Sequence, residues 1–120
     1  MTTITGLRLG TSPVDEPTGV ELPAGNLLHS LYAAIGCRFI DVIELPGGLD
    51  VVFDDEGKNI GADPNHLATA IAKRLGFTFF PGDYIAGPVV FLGATGEGEH
   101  VSLTADQRHR LLVASLVVGQ

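Results

Sequence analysis

The sequence predicts an α+β fold: one compact domain over residues 1–120, with a mixed sheet of four or more strands packed with about three helices. Three observations predict it. The chain has 120 residues, the size of a single ordinary domain. Its apolar residues recur at two spacings, every second residue in LDVVFDD (49–55) and every third or fourth in LLHSLYAAI (27–35). Strand-like and helix-like stretches follow in no regular alternation, which disfavours a purely parallel sheet built from repeated strand–helix–strand units.

ITGLRL (4–9) alternates apolar and polar residues and reads as a short strand. TSPVDEPTGVELPAG (11–25) holds three prolines and two glycines, so it is mostly loop with an extended piece at Val20–Leu22. Asn26 is placed to cap a helix through Leu27, Leu28, Leu31, Tyr32 and Ile35, which Gly36 stops. CRFIDVIEL (37–45) and LDVVFDD (49–55) form two strands around the turn Pro46–Gly47–Gly48, the second with Leu49, Val51 and Phe53 buried and Asp50, Val52 and Asp54 on a wet face.

Asp63–Pro64 marks the start of a second helix, because proline at the first helical position has no amide hydrogen to leave unpaired. Leu67, Ala68, Ile71, Ala72 and Leu75 form its apolar stripe, and Gly76 ends it. FTFF (77–80) is expected as a short strand, and YIAGPVVFLG (84–93) as an interior one, with a bulge or early edge position at Pro88. Thr104 with Gln107 makes a capping box for a last helix over 104–118, on which Leu111, Leu112, Ser115 and Leu116 face inward.

Seven basic residues against fourteen acidic ones give a net charge of −7, which disfavours binding a phosphate backbone. Seven of the acids (Asp41, Glu44, Asp50, Asp54, Asp55, Glu56 and Asp63) lie between positions 41 and 63, opposed there only by Lys58. Such a run is either a solvated sheet edge or a surface for a basic partner. No stretch reaches the roughly 18 unbroken apolar residues of a membrane span, and MTTITGLRLG has no basic segment leading into an apolar one. One cysteine, Cys37, leaves no internal disulfide, and a cytoplasmic location is expected.

The acid-rich stretch DVVFDDEGKNIGADPNH (50–66) invites a metal-site reading. Counted from Asp50 as a calcium loop, it puts Val52 at a ligand position and Asp55 where glycine is needed, so that template fails. His29, His66, His100 and His109 make no zinc-type pair, and no metal or other cofactor is expected. Asp54, Asp63 and His66 converging on one ion is the alternative to a turn followed by a helix cap. Asn65 and Thr69 lie four residues apart on one helical face, off the apolar stripe. They either satisfy loop backbone near Gly57–Gly61 or contact a ligand or partner. Cys37 beside Arg38 is either an activated thiolate or a small buried apolar residue. GATGEGE (93–99) lacks the lysine and spacing of a phosphate loop and carries Glu97 and Glu99, so it reads as a flexible hairpin or loop.

VFDDEGKNIGADPNHLATAIA followed by GDYIAGPVVFLG, with LYAAIGCRFIDVIEL before them, resembles the DUF3846 domain family over a core of positions 27–93. The resemblance implies a protein of bacteriophages, plasmids or integrated elements, often of Gram-positive and actinobacterial hosts, and carries over no catalytic residue. The expected function is therefore non-enzymatic: a phage or mobile-element accessory protein that binds a host factor, in the setting of host defence. The expected partner is a basic or nucleic-acid-handling host protein, with no direct nucleic-acid or membrane binding. Its expected contact residues are Asp50, Asp54, Asp55, Glu56, Asn65 and Thr69. A small-molecule or nucleotide-signal sponge, drawing on Arg8, Arg38, Arg74, Arg108, Tyr32 and Tyr84, is the first alternative, and a metal-dependent hydrolase using Asp54, Asp63 and His66 the second. The apolar LLVASLVV (111–118) leaves Val113 and Val117 without a place in the monomer core. They are the expected interface of a homo-oligomer, most simply a dimer, unless 113–118 is a buried terminal strand.

Overall fold

The structure, a computed structural model, describes residues 2–119. Strand β1 (Thr3–Leu9) buries Leu7 and Leu9 completely and pairs antiparallel with β2 (Thr18–Pro23), so the extended piece foreseen at Val20–Leu22 is longer than expected. A 3-10 turn at Ala24–Asn26 leads into α1 (Leu27–Ile35), whose entrance Asn26 makes no side-chain capping bond. Helix α1 ends where expected. Gly36 takes a left-handed φ of 79° and its N–H donates to the Tyr32 carbonyl.

Strands β3 (Ile40–Leu45) and β4 (Leu49–Asp54) form the expected hairpin, with Gly47 and Gly48 both at positive φ in its turn. Then come α2 (His66–Arg74), β5 (Val89–Ala94), the two-residue β6 (His100–Val101) and α3 (Ala105–Val118). The strands lie in the order β2–β1–β5–β4–β3, and β6 joins β5. Every ladder is antiparallel, so the fold is α+β as expected but the sheet is not mixed.

Strand β4 occupies one edge of β5 along 89–93. On the other edge β1 pairs with 89–91 and β6 with 93–94, so β1 and β6 lie end to end. The Leu103 N–H bonds to the Thr5 carbonyl (3.0 Å) and the Thr5 N–H to Ser102 Oγ (2.9 Å), which fixes that junction.

Helices α2 and α3 cover one face of the sheet, burying Leu7, Leu49, Val51, Ile71, Phe91 and Leu111. Helix α1 covers the other through Leu31 and Ile35, packed on Leu22, Val52, Val90 and Leu92. With helices packed on both faces, β4 is largely enclosed. Asp50 and Asp54, expected on a wet face, are only 5% and 8% exposed.

Three local expectations are corrected. Residues 77–80 are loop rather than strand, and Phe77 and Phe79 fold back edge to face on the core with ring centroids 4.8 Å apart. Asp63–Pro64 does not start α2. Pro64 bridges to Ala86, and the helix begins at His66 with Asn65 as its cap. On α3 the Thr104–Gln107 capping box forms as expected, but Leu111 and Ala114 face inward, whereas Leu112 and Leu116 face solvent. Gln107 Nε2 also donates to the carbonyls of Gly47 (2.9 Å) and Gly48 (3.0 Å), which ties the start of α3 to the β3–β4 turn.

The outer edge of β3 is modified by its own side chain. The Asp55 N–H bonds to the Phe39 carbonyl (3.1 Å), which by alternation makes Asp41–Phe53 and Ile43–Val51 the hydrogen-bonded pairs and turns the Val42 amide outward. Asp41 Oδ1 accepts that amide at 2.8 Å.

Candidate functional site

Of the six residues expected to contact a partner, Asn65, Thr69 and Asp54 are enclosed by the fold. Asn65 is almost fully buried and works within the fold: Oδ1 accepts the Ala68 N–H (3.0 Å), while Nδ2 donates to the carbonyls of Gly87 (3.0 Å) and Leu9 (3.3 Å). Thr69 Oγ1 donates to the Asn65 carbonyl (2.8 Å) and accepts the Ile85 N–H (3.0 Å). Asn65 therefore does satisfy loop backbone, but that of Gly87 and the end of β1, not the Gly57–Gly61 loop. Neither side chain is available to a partner.

Asp54 is closed off too, with Oδ1 accepting the Glu56 N–H at 2.8 Å in a side-chain turn. Asp55 is exposed, and Glu56 pairs with Arg38 at 3.2 Å. Among the described residues no three His, Cys, Asp or Glu side chains come together as metal ligands, so Asp54, Asp63 and His66 do not converge. Cys37 packs at the border of the α1-side core. Burial and then the Asp54 carboxylate raise its thiol pKa, so Arg38 does not activate it.

A different group of side chains does converge. Glu44 and Asp50 stand directly opposite each other in the β3–β4 hairpin. The alternation set by Phe39 and Asp55 makes them a non-hydrogen-bonded pair, the kind whose side chains are closer, so two carboxylates repel at short range. Across β4's other edge Asp50 faces Leu92, and His100 on β6 faces Ala94, so Asp50 and His100 share the α1 face on a diagonal over β5.

His100 Nδ1 lies 3.1 Å from Asp50 Oδ2. The contact lacks the alignment of a hydrogen bond, and Nδ1 is buried with no hydrogen-bond partner. The Asp50 side chain is 7% exposed. Burial and, to a smaller extent, Glu44 push its carboxyl above the usual pKa, while His100 pulls it back.

Helix α1 does not reach this end of the sheet. What remains is an open concavity of about 720 Å³ with Val42 and Ala94 in its wall, Glu44, Asp50 and His100 along one side, and the loop bearing Glu97 across from them. No Lys or Arg is among its described lining residues. A second concavity of about 560 Å³, beside the edge strand β3, is floored by Phe53, Phe77 and Phe79 and rimmed by the ion pair of Lys58 and Asp83.

Half of this site was readable beforehand. A three-residue turn at 46–48 forces Glu44 opposite Asp50, and like charges so placed need a reason. His100 gave no such signal, because what brings it to Asp50 is the pairing of β4 with β5, two strands separated in sequence by α2.

On α3, Val113 and Val117 are exposed as expected, and Leu112 and Leu116 join them, Leu116 at 69% exposure. The segment 113–118 is helix, so a buried terminal strand does not absorb these residues. Among the described residues no helix is long and apolar enough to cross a membrane.

No curated protein and no solved structure matches the chain. Residues 8–114 match the family described as Domain of unknown function (DUF3846), a span well beyond the quoted core of 27–93 that takes in β1 and most of α3. The chain belongs to the DUF3846 family.

Proposed function

We propose that the protein is a non-enzymatic interaction protein that captures a basic segment of a host protein in the acidic concavity between the β3–β4 hairpin and the β5–β6 loop. One observation supports this reading above others: Glu44, Asp50 and Glu97 meet around an open space with no described Lys or Arg to neutralise them. Charge of one sign gathered in a concavity attracts and orients a partner of the other sign. The phage or mobile-element setting comes from the family resemblance, and makes a factor of the host cytoplasm, such as a component of host defence, the partner class.

Of the expected contact residues, Asp50 is kept, with exposed Asp55 and Asp41 nearby; Asp54, Asn65 and Thr69 drop out, and Glu44 and Glu97 are added. Self-association through the outer face of α3 belongs to the same proposal and leaves the concavity free. A nucleotide-binding sponge is disfavoured at this site, because its carboxylates repel phosphate.

The test is capture from host lysate by the tagged protein and by a Glu44→Gln/Glu97→Gln variant, each over a series of salt concentrations. A specific basic partner should be retained by the parent, lost progressively with salt and lost from the folded variant. Equal retention by both proteins would refute the reading.

A further inference from the structure

We infer that the concavity holds a binding site for an alkylguanidinium group, clamped between Asp50 and Glu97 with Glu44 at its side. The inference rests on the binding role proposed above and names the chemical class that the site selects.

The acids alone would be unremarkable on a chain of net charge −7. The second observation is the state of Asp50. A carboxylate offers about four lone-pair directions, and a buried one ordinarily fills them with donors. The Asp50 side chain is more than nine-tenths buried, lines the concavity and accepts no hydrogen bond from the described residues; the His100 Nδ1 beside it, at 3.1 Å, is misaligned for one. Asp54, four residues along the same strand, shows the ordinary arrangement, with a backbone N–H on its carboxylate. The contrast falls where the space opens. Asp50 is short of protein donors where the space opens, and the buried imidazole nitrogen beside it does not supply one in hydrogen-bond alignment.

The missing group must bring several donors at once. A bare metal ion does not fit, because no three candidate ligands among the described residues come together around one point. An ammonium is a compact, strongly hydrated point charge that prefers to keep its water. A guanidinium is planar, weakly hydrated and carries five N–H donors in a fixed fork, so it can address Asp50 on one edge and Glu97 or Glu44 on another. Its apolar stem would lie on Val42 and Ala94. A volume of about 720 Å³ exceeds what one such group fills and leaves room for the chain that carries it.

Two sources share this chemistry: an arginine side chain of a protein segment, and a free alkylguanidine. The experiment separates them. Amide and carboxyl NMR shifts of the full chain are followed during titration with agmatine, with n-butylammonium as the ammonium control, and with a short arginine-containing peptide and its lysine counterpart. Agmatine should give saturable shifts at Glu44, Asp50, Glu97 and His100, with n-butylammonium at least several-fold weaker. Asp50→Asn, which keeps the shape of the side chain, should weaken agmatine at least tenfold; Glu97→Gln, at an exposed position, should also weaken it.

An arginine peptide that binds at least tenfold more tightly than agmatine assigns the site to a protein segment. Agmatine binding with no gain from the peptide assigns it to a free small molecule; the guanidinium site then stands and the host-protein reading falls. Absence of saturable shifts at these four residues, or equal binding by the parent and both variants, overturns the inference even if lysate capture succeeds.

Discussion

Asn65 is the most consequential polar residue of the fold, and its removal can be worked through. In Asn65→Ala, α2 loses its N-cap acceptor, for which about 1 kcal/mol is typical. The Leu9 and Gly87 carbonyls lose the amide that joins the end of β1 to the segment entering β5, each at about 1 kcal/mol or somewhat more. The total is about 3–4 kcal/mol, a large fraction of the 5–15 kcal/mol by which domains are usually stable. For a chain of this size it corresponds to a fall in Tm of about 10–20 °C. Asn65→Asp separates the contributions. It keeps the cap acceptor but sets a carboxylate against two carbonyl oxygens, so at neutral pH it should be at least as damaging and should recover partly in acid, where a protonated carboxyl can donate once. Urea unfolding followed by circular dichroism gives both numbers. A loss below about 1 kcal/mol in both variants would refute the stitching role.

The remaining expectations concern charge, surface and thiol. Asp50 has a raised carboxyl pKa in the fold, chiefly through burial, so the native state holds the proton more tightly than the unfolded chain. Its contribution is then most favourable below the ordinary carboxylate range and is lost as pH rises through the raised value. Asp50→Asn should therefore gain Tm relative to the parent as pH is raised from about 4 to about 7; a growing deficit instead would mean that the His100 contact outweighs burial. Leu116→Glu with Val117→Glu should turn a dimer into a monomer by light scattering after size exclusion, and a parent that is already monomeric at tens of micromolar would dismiss the α3 interface. Cys37 should react with iodoacetamide more slowly than the same segment as a free peptide, and Asp54→Asn should accelerate it; a native rate at or above that of the peptide contradicts the raised thiol pKa.

Local chemistry was legible in the sequence where a few neighbouring residues decide the outcome. Gly36 ended α1, Pro46–Gly47–Gly48 turned the hairpin, and Thr104 with Gln107 capped α3, all as read. Errors arose where a second segment decides. The wet face assigned to β4 assumed one bare side of the sheet, but α1, the helix that precedes the hairpin, packs over it. Leu112 and Leu116 lie outside because the buried face of α3, Leu111 and Ala114, is chosen by packing on the sheet and α2, which the run of apolar residues in LLVASLVV does not specify. Asn65 and Thr69 looked available because periodicity places them off the apolar stripe, and only the docking of residues 85–87 encloses them. The site followed the same division: the facing of Glu44 and Asp50 is local, whereas His100 and Glu97 reach them only through the long-range pairing of β4 with β5.

The Asp41 side chain on the Val42 amide governs how copies of the chain can meet. An open sheet has two rims, here β2 and β3, and a protein whose rims both accept strands can polymerise head to tail without limit. With one donor of the β3 rim already taken, joining β3 of one molecule to β2 of the next is penalised at every step of such a chain. Association that matches like surfaces about a two-fold axis escapes that penalty and stops at two. A single aspartate thus counts against a fibre built rim to rim.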